Sequence, residues 1–159
     1  MVHDPVDDLL DQWTKARPEQ DLSGLSIAVR VQTLSTEFRR HAEDALAPLD
    51  MQLWEYDVLA ALRRQGAPFE LAATELARET FLSTGAMTNR IDKLVDKGYV
   101  RRRPDPGDRR GVLVTLTDTG REVVDEALQA RFHAANQQVH ALSADDRRRL
   151  TGLLRTPVN

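Results

Sequence analysis

Four small polar side chains, Ser83, Thr84, Thr88 and Asn89, sit within seven residues of one another. Hydroxyl and amide groups both donate and accept hydrogen bonds, so at the start of a helix they can meet base edges or phosphate oxygens. The surrounding segment, ETFLSTGAMTNRIDKLVDKGYV, then turns apolar, with Met87, Ile91, Leu94 and Val95 at helical spacing. A helix with a polar first turn and an apolar later face can enter the major groove while packing on a domain. An ordinary surface helix with a polar cap would carry the same pattern, so the residues that follow decide between the two.

Those residues change period. Tyr99–Arg103 and Val112–Leu116 read as two strands, and PDPGDRRG between them supplies the turn residues of a hairpin. Arg109 and Arg110 then fall at its tip, where an extended wing can reach the negative potential of a narrow minor groove. Arg101 and Arg103 on the first strand join the same cationic surface. A carboxylate near phosphates is unfavourable unless it orients an arginine, and Asp105 or Asp108 is expected to brace the wing in that way. Charge agrees with this placement. Residues 78–110 hold nine Lys/Arg against five Asp/Glu, a local +4 in a chain whose net charge is −3.

The elements that must position these groups are mostly helical. Asp4-Pro5 is a helix start, and Val6, Leu9, Leu10 and Trp13 follow at three-to-four spacing until Pro18. A second helix is expected over about 26–46, with Val31, Leu34, Phe38, Ala42 and Leu46 on one stripe. A third carries Trp54, Val58, Leu59 and Leu62 and ends near Gly66. Ala72–Glu79 and Ser83–Lys97 make a closely spaced pair, with Gly98 as C-cap. Thr117 or Asp118 caps a long helix to about Ala141, and Ser143 starts a last one with Leu150, Leu153 and Leu154. The expected fold is mainly α (α+β): a winged helix-turn-helix over 50–117, flanked by ligand and dimerisation helices over 1–49 and 118–159, all in one domain. Apolar stripes on the terminal helices need a cover, and a homodimer supplies one.

Composition narrows the function classes. There are no cysteines, which excludes disulfides, thiolate metal sites and a cysteine redox sensor. No apolar run approaches membrane-spanning length, and the acidic N-terminus lacks signal-peptide order, so a cytoplasmic protein is expected. No phosphate-binding glycine loop, zinc-protease helix or nucleophile elbow is found, so neither an enzyme nor a cofactor is expected. Of the histidines His3, His41, His133 and His140, the last two are seven apart and could share a helix face, but they have no carboxylate at ligand spacing, and no metal is expected.

The run LSTGAMTNRIDKLVDKGYVRRRPDPGDRRGVLVTLTDTG resembles the recognition helix and wing of the MarR family of bacterial regulators. Its carriers are Asp108-Arg109-Arg110 and then Leu116-Thr117-Asp118-Thr119-Gly120. The resemblance implies an obligate dimer on a double-stranded, pseudo-palindromic DNA operator, and usually repression relieved by a small molecule. The N-terminal tryptophan helix followed by Arg17-Pro18, EYDVLAALRRQG and LSTGAMTNRID resemble the urate-responsive, PecS-like subgroup. That likeness implies a ligand site of Trp13, Asp57, Arg90 and Arg102. Arginine forks suit a planar anion such as urate, and a buried Asp57 would pair with arginine until the anion competes. Two other readings stand beside this one: a same-fold repressor sensing a phenolic compound or antibiotic, and a winged-helix protein-interaction module.

Overall fold

The computed structural model describes residues 4–155, except for the side chains of Arg109 and Arg110. The chain divides into two compact units at His41/Ala42.

The first unit holds α1 (Pro5–Ala16) and most of α2 (Ser23–Leu46). The Asp4 carboxylate accepts from Val6 N–H at 2.9 Å and Pro5 occupies the first turn, as the residue types require. Arg30 on α2 donates to Asp4 at 2.9 Å and to Asp7 at 2.5 Å, joining α2 to the start of α1. The second helix begins at Ser23, three residues earlier than expected. Asp21 accepts from Ser23 N–H there, and that bond holds the Asp21 carboxyl below its ordinary pKa. Of the expected apolar stripe, Val31, Leu34 and Phe38 are exposed on the chain, while Ala42 and Leu46 are buried.

The second unit runs through a 3₁₀ turn (Ala47–Leu49), α3 (Leu53–Arg63), β1 (Glu70–Ala72), α4 (Ala73–Glu79), α5 (Thr84–Asp96), β2 (Val100–Asp105), β3 (Asp108–Leu116), α6 (Asp118–Gln138) and α7 (Ala144–Leu154). Leu46, Val58, Leu59, Leu62, Leu76, Met87, Leu94, Val114 and Val124 are wholly inaccessible and form one core, so α3, α4, α5, the sheet and α6 pack as a body. At about 1.5–3 kcal/mol per fully buried large aliphatic side chain, this cluster is the main source of the unit's stability. Val95, expected inward, is 39% exposed, because Ile91 and Leu94 already fill the inward sector of α5.

The sheet has the order β1-β3-β2, all antiparallel. The short β1 strand was not expected. Three residues cannot show a period, and its pairing of Leu71 with Val114 joins segments more than forty residues apart. The hairpin strands are also longer than expected. The ladder extends to Asp105↔Asp108, leaving Pro106-Gly107 as the turn, with a register irregularity at Pro104/Asp105. The long helix stops at Gln138, short of Ala141.

Two glycine positions follow from geometry. Gly98 lies just past α5 with φ of 73°, a left-handed conformation in which a side chain is strained. Gly120 is packed against the chain that follows α5: a Cβ there would lie 2.0 Å from the Tyr99 carbonyl oxygen. Thr117 caps α6 by accepting from Gly120 N–H at 2.9 Å and donates to Gly98 O at 2.7 Å. The L-T-x-x-G motif is therefore the joint that closes the hairpin onto the end of α5. A three-stranded sheet with a long hairpin beside a helix–turn–helix is a winged helix-turn-helix, in a mainly helical chain.

Candidate nucleic-acid interface

α5 presents one side of its first two turns to solvent. Ser83, Thr84, Thr88 and Asn89 are exposed, while Met87, Ile91 and Leu94 are buried on the opposite side. Part of the hydroxyl capacity is committed locally: Ser83 Oγ accepts from Ala86 N–H at 3.3 Å as the N-cap, and Thr88 Oγ1 donates to Thr84 O at 3.0 Å. Ser83 retains its O–H as a donor, and Thr88 retains acceptor lone pairs.

The helix is gripped on both flanks. On the wing side, Arg102 of β2 pairs with Asp92 at 2.6 Å and donates to the Thr88 carbonyl at 3.1 Å. On the other side, the first turn of α3 holds the cations. Arg90 lies 5.2 Å and Lys93 5.9 Å from the Trp54 ring centre, and Lys97 pairs with Glu55 at 2.8 Å. Glu55 is 2% exposed and also accepts from Gln52 N–H at 2.8 Å. Its hydrogen bond raises the Lys97 pKa above the ordinary lysine range, against the opposing effect of desolvation.

The wing is pinned across all three strands. Arg103 of β2 donates to both Glu70 oxygens of β1, at 2.9 and 2.6 Å, and Thr115 of β3 donates to Glu70 at 2.5 Å. The Arg103 fork first, then the Thr115 hydroxyl, hold the Glu70 carboxyl below its ordinary pKa. Arg103, expected to face DNA, thus gives the N–H edge of its guanidinium to the sheet, while Arg101 is exposed. The Asp105 carboxylate accepts from Gly107 N–H at 2.8 Å, so the brace it supplies goes to the turn backbone. Arg109 and Arg110 lie on β3, but their side chains fall outside the described residues.

Of the residues expected to form a ligand site, Trp13 belongs to the first unit and Asp57, Arg90 and Arg102 to the second. Arg90 and Arg102 are held on opposite flanks of α5, one by Trp54 and the other by Asp92. Asp57 is exposed, not buried; the buried carboxylate of α3 is Glu55, two residues earlier. An odd charge in an apolar helix suggested burial, but α3 turns Val58, Leu59 and Leu62 inward and Asp57 outward. Asp57 lines a cavity of about 220 Å³ with Arg64, Glu79, Thr80 and Phe81. Trp13 lies on α1 and is 47% exposed.

Sequence reasoning missed Trp54, Glu55, Glu70, Asp92 and Lys97. A usable signal existed for one group: Arg90, Lys93 and Lys97 repeat at helical spacing on one flank of α5 and need a counterpart. Glu70 offered none, since its partners are 33 and 45 residues away.

The chain belongs to the MarR family. Residues 49–111 match the MarR family profile. The multiple antibiotic resistance protein MarR of Escherichia coli (strain K12) is 33% identical over 117 residues, covering 73% of this chain and 79% of that one. The HTH-type transcriptional regulator PecS of Dickeya dadantii (strain 3937) is 27% identical over 149 residues, 94% of this chain and 90% of that one. A crystal structure of a MarR mutant from E. coli complexed with operator DNA covers 90% of this chain and 95% of its own, with a TM-score of 0.72 and 28% identity.

Among the described residues, no helix is long and apolar enough to cross a membrane.

Proposed function

We propose that this chain is a homodimeric, sequence-specific DNA-binding repressor, released from a pseudo-palindromic operator by a small anionic ligand such as urate. One observation carries the DNA half of the proposal: α5 exposes an uncharged polar first turn while its flanks are fixed by the wing and by α3, the arrangement a groove-reading helix needs. Ser83, Thr84, Thr88 and Asn89 meet the major groove, and Arg101, Arg109 and Arg110 meet the backbone and minor groove. A 28% identical relative has been crystallised with operator DNA.

Exposed apolar residues on the terminal helices support the dimer. α7 buries no residue, Leu153 and Leu154 are each about two-thirds exposed, and Phe132, Leu34 and Ile27 are also open.

The anion response centres on Arg102. Its guanidinium ties the wing to α5 through Asp92 and the Thr88 carbonyl. A planar anion offering two acceptors competes for that fork, and losing it frees one flank of the helix. Two half-sites must stay about one DNA turn apart, so a small shift of α5 weakens binding. The likeness to PecS over nearly the whole chain supports the PecS-like subgroup and its Trp13, Asp57, Arg90 and Arg102 set. Of these, Arg102 has the contact most directly coupled to the wing.

A gel shift on the DNA upstream of the protein's own gene, titrated with urate, xanthine and salicylate, tests this. Retardation abolished by urate at lower concentration than by salicylate is expected. Release by salicylate alone selects the phenolic reading, and absence of any retarded band at low salt overturns DNA binding.

A further inference from the structure

The two flanks of α5 are built from different chemistry. On the wing side an arginine is neutralised by a carboxylate, Asp92. On the α3 side two cations, Arg90 and Lys93, are gathered over one indole ring at 5.2 and 5.9 Å. Two like charges three residues apart repel, and the negative π-face of tryptophan offsets that repulsion without cancelling either charge. A carboxylate in the same place would have neutralised one of them. The carboxylate next in sequence, Glu55, is instead buried and given to Lys97, one turn further along. The Trp54 indole N–H is itself occupied by the Gln52 side-chain carbonyl, which fixes the ring in the first turn of α3. Arg90 is half-buried and Lys93 is exposed, so their charged heads stay accessible beside the polar turn of Thr84, Thr88 and Asn89.

We propose that Trp54 is a positioning residue for DNA binding: it holds Arg90 and Lys93 as a fixed, un-neutralised pair aimed at the phosphates of the strand bordering the groove that α5 enters. This rests on the DNA-binding reading above. A guanidinium stacked by its face keeps its N–H edge for phosphate oxygens, and ordering it before the encounter lowers the entropic cost of each contact.

The test is a double-mutant cycle on the full-length protein, using a duplex that the wild type selects from a random-sequence pool. Trp54→Leu, Arg90→Ala/Lys93→Ala and the triple variant are compared by fluorescence anisotropy of labelled DNA at several salt concentrations. Thermal midpoints are measured alongside. Arg90→Ala/Lys93→Ala is expected to flatten the log K versus log[salt] slope by about 2, roughly 0.9 for each lost phosphate contact. Trp54→Leu is expected to lower affinity about 5- to 10-fold in the wild-type background and not at all in the Arg90→Ala/Lys93→Ala background, with Trp54→Phe restoring much of the loss. An equal loss from Trp54→Leu in both backgrounds makes the tryptophan merely structural and overturns the proposal. So does wild-type affinity in Trp54→Leu. If the wild type selects no duplex at all, the DNA-binding reading falls and this proposal falls with it. A wild type that binds while the cycle is additive removes the proposal alone.

Discussion

The winged-helix region and the terminal helices handle their apolar side chains in opposite ways. From α3 to the start of α6, large aliphatic residues are driven to complete burial, and ion pairs and helix caps clamp the elements from several sides. In α7 and the first part of α2, comparable side chains lie open: Leu153, Leu154, Val31, Leu34 and Phe38. The helices themselves are well formed and capped, with Ser143 accepting from Asp146 N–H at 3.1 Å. Helix formation and helix burial are thus separate problems. The winged region solves both within one chain, whereas in α7 and this stretch of α2 only the first is solved within the chain.

The sharpest way to break the self-sufficient region is at its tightest joint. Gly120→Ala places a Cβ on the Tyr99 carbonyl, a backbone atom that cannot rotate away. A loss of about 3 kcal/mol is expected by chemical denaturation, near the upper end for overpacking; a loss under about 1 kcal/mol would mean that the α6 start is free to shift.

The wing tip should matter to binding and hardly at all to folding. Arg109→Ala with Arg110→Ala is expected to weaken operator affinity about 30- to 100-fold and to flatten its salt dependence by about 2, while leaving the thermal midpoint in place. Unchanged affinity at two salt concentrations removes the wing from the DNA-binding surface.

A milder break lies in the three-strand pin. Glu70→Gln should cost about 1 kcal/mol at neutral pH, as expected for a charge-assisted pair that is partly solvated. The Glu70 pKa is depressed in the folded state. Its contribution is therefore complete above the unfolded glutamate value, near 4.5, and is lost as pH falls through the lower folded value. Wild type and variant should converge in acid, and a gap that is constant with pH would show that the charge is not what stabilises the pin.

The terminal helices should give the smallest effect on the fold and a clear one on assembly. Leu153→Ser with Leu154→Ser removes side chains that are already exposed in the chain, so the denaturation of the isolated subunit should change by less than about 0.5 kcal/mol. Sedimentation at micromolar concentration should show wild-type dimer shifting toward monomer in the variant. A variant that stays fully dimeric would place the interface elsewhere.

Local chemistry was legible wherever the partners are near in sequence. Asp4-Pro5, Ser83, Thr117, Ser143 and Gly98 mark helix ends by side chain and φ alone, and each element between α3 and α6 that shows a period was placed within a few residues. The polar turn of α5 and the arginine-bearing hairpin were likewise readable as residue types in order, and they led to the family.

Tertiary structure decided what those residues face. The sequence placed Asp57 in an apolar helix, yet only packing turns it outward and buries Glu55 against Lys97. Three wing arginines in a row looked alike. The alternation of β2 sends Arg102 to Asp92 on α5 and Arg103 to Glu70 on β1, because neighbouring strand residues point to opposite faces. Helical period and capping are local properties, fixed by a few bonds along the chain. A carboxylate's partner 33 residues away, or a tryptophan beneath two cations on another helix, exists only once the core has brought the two segments together.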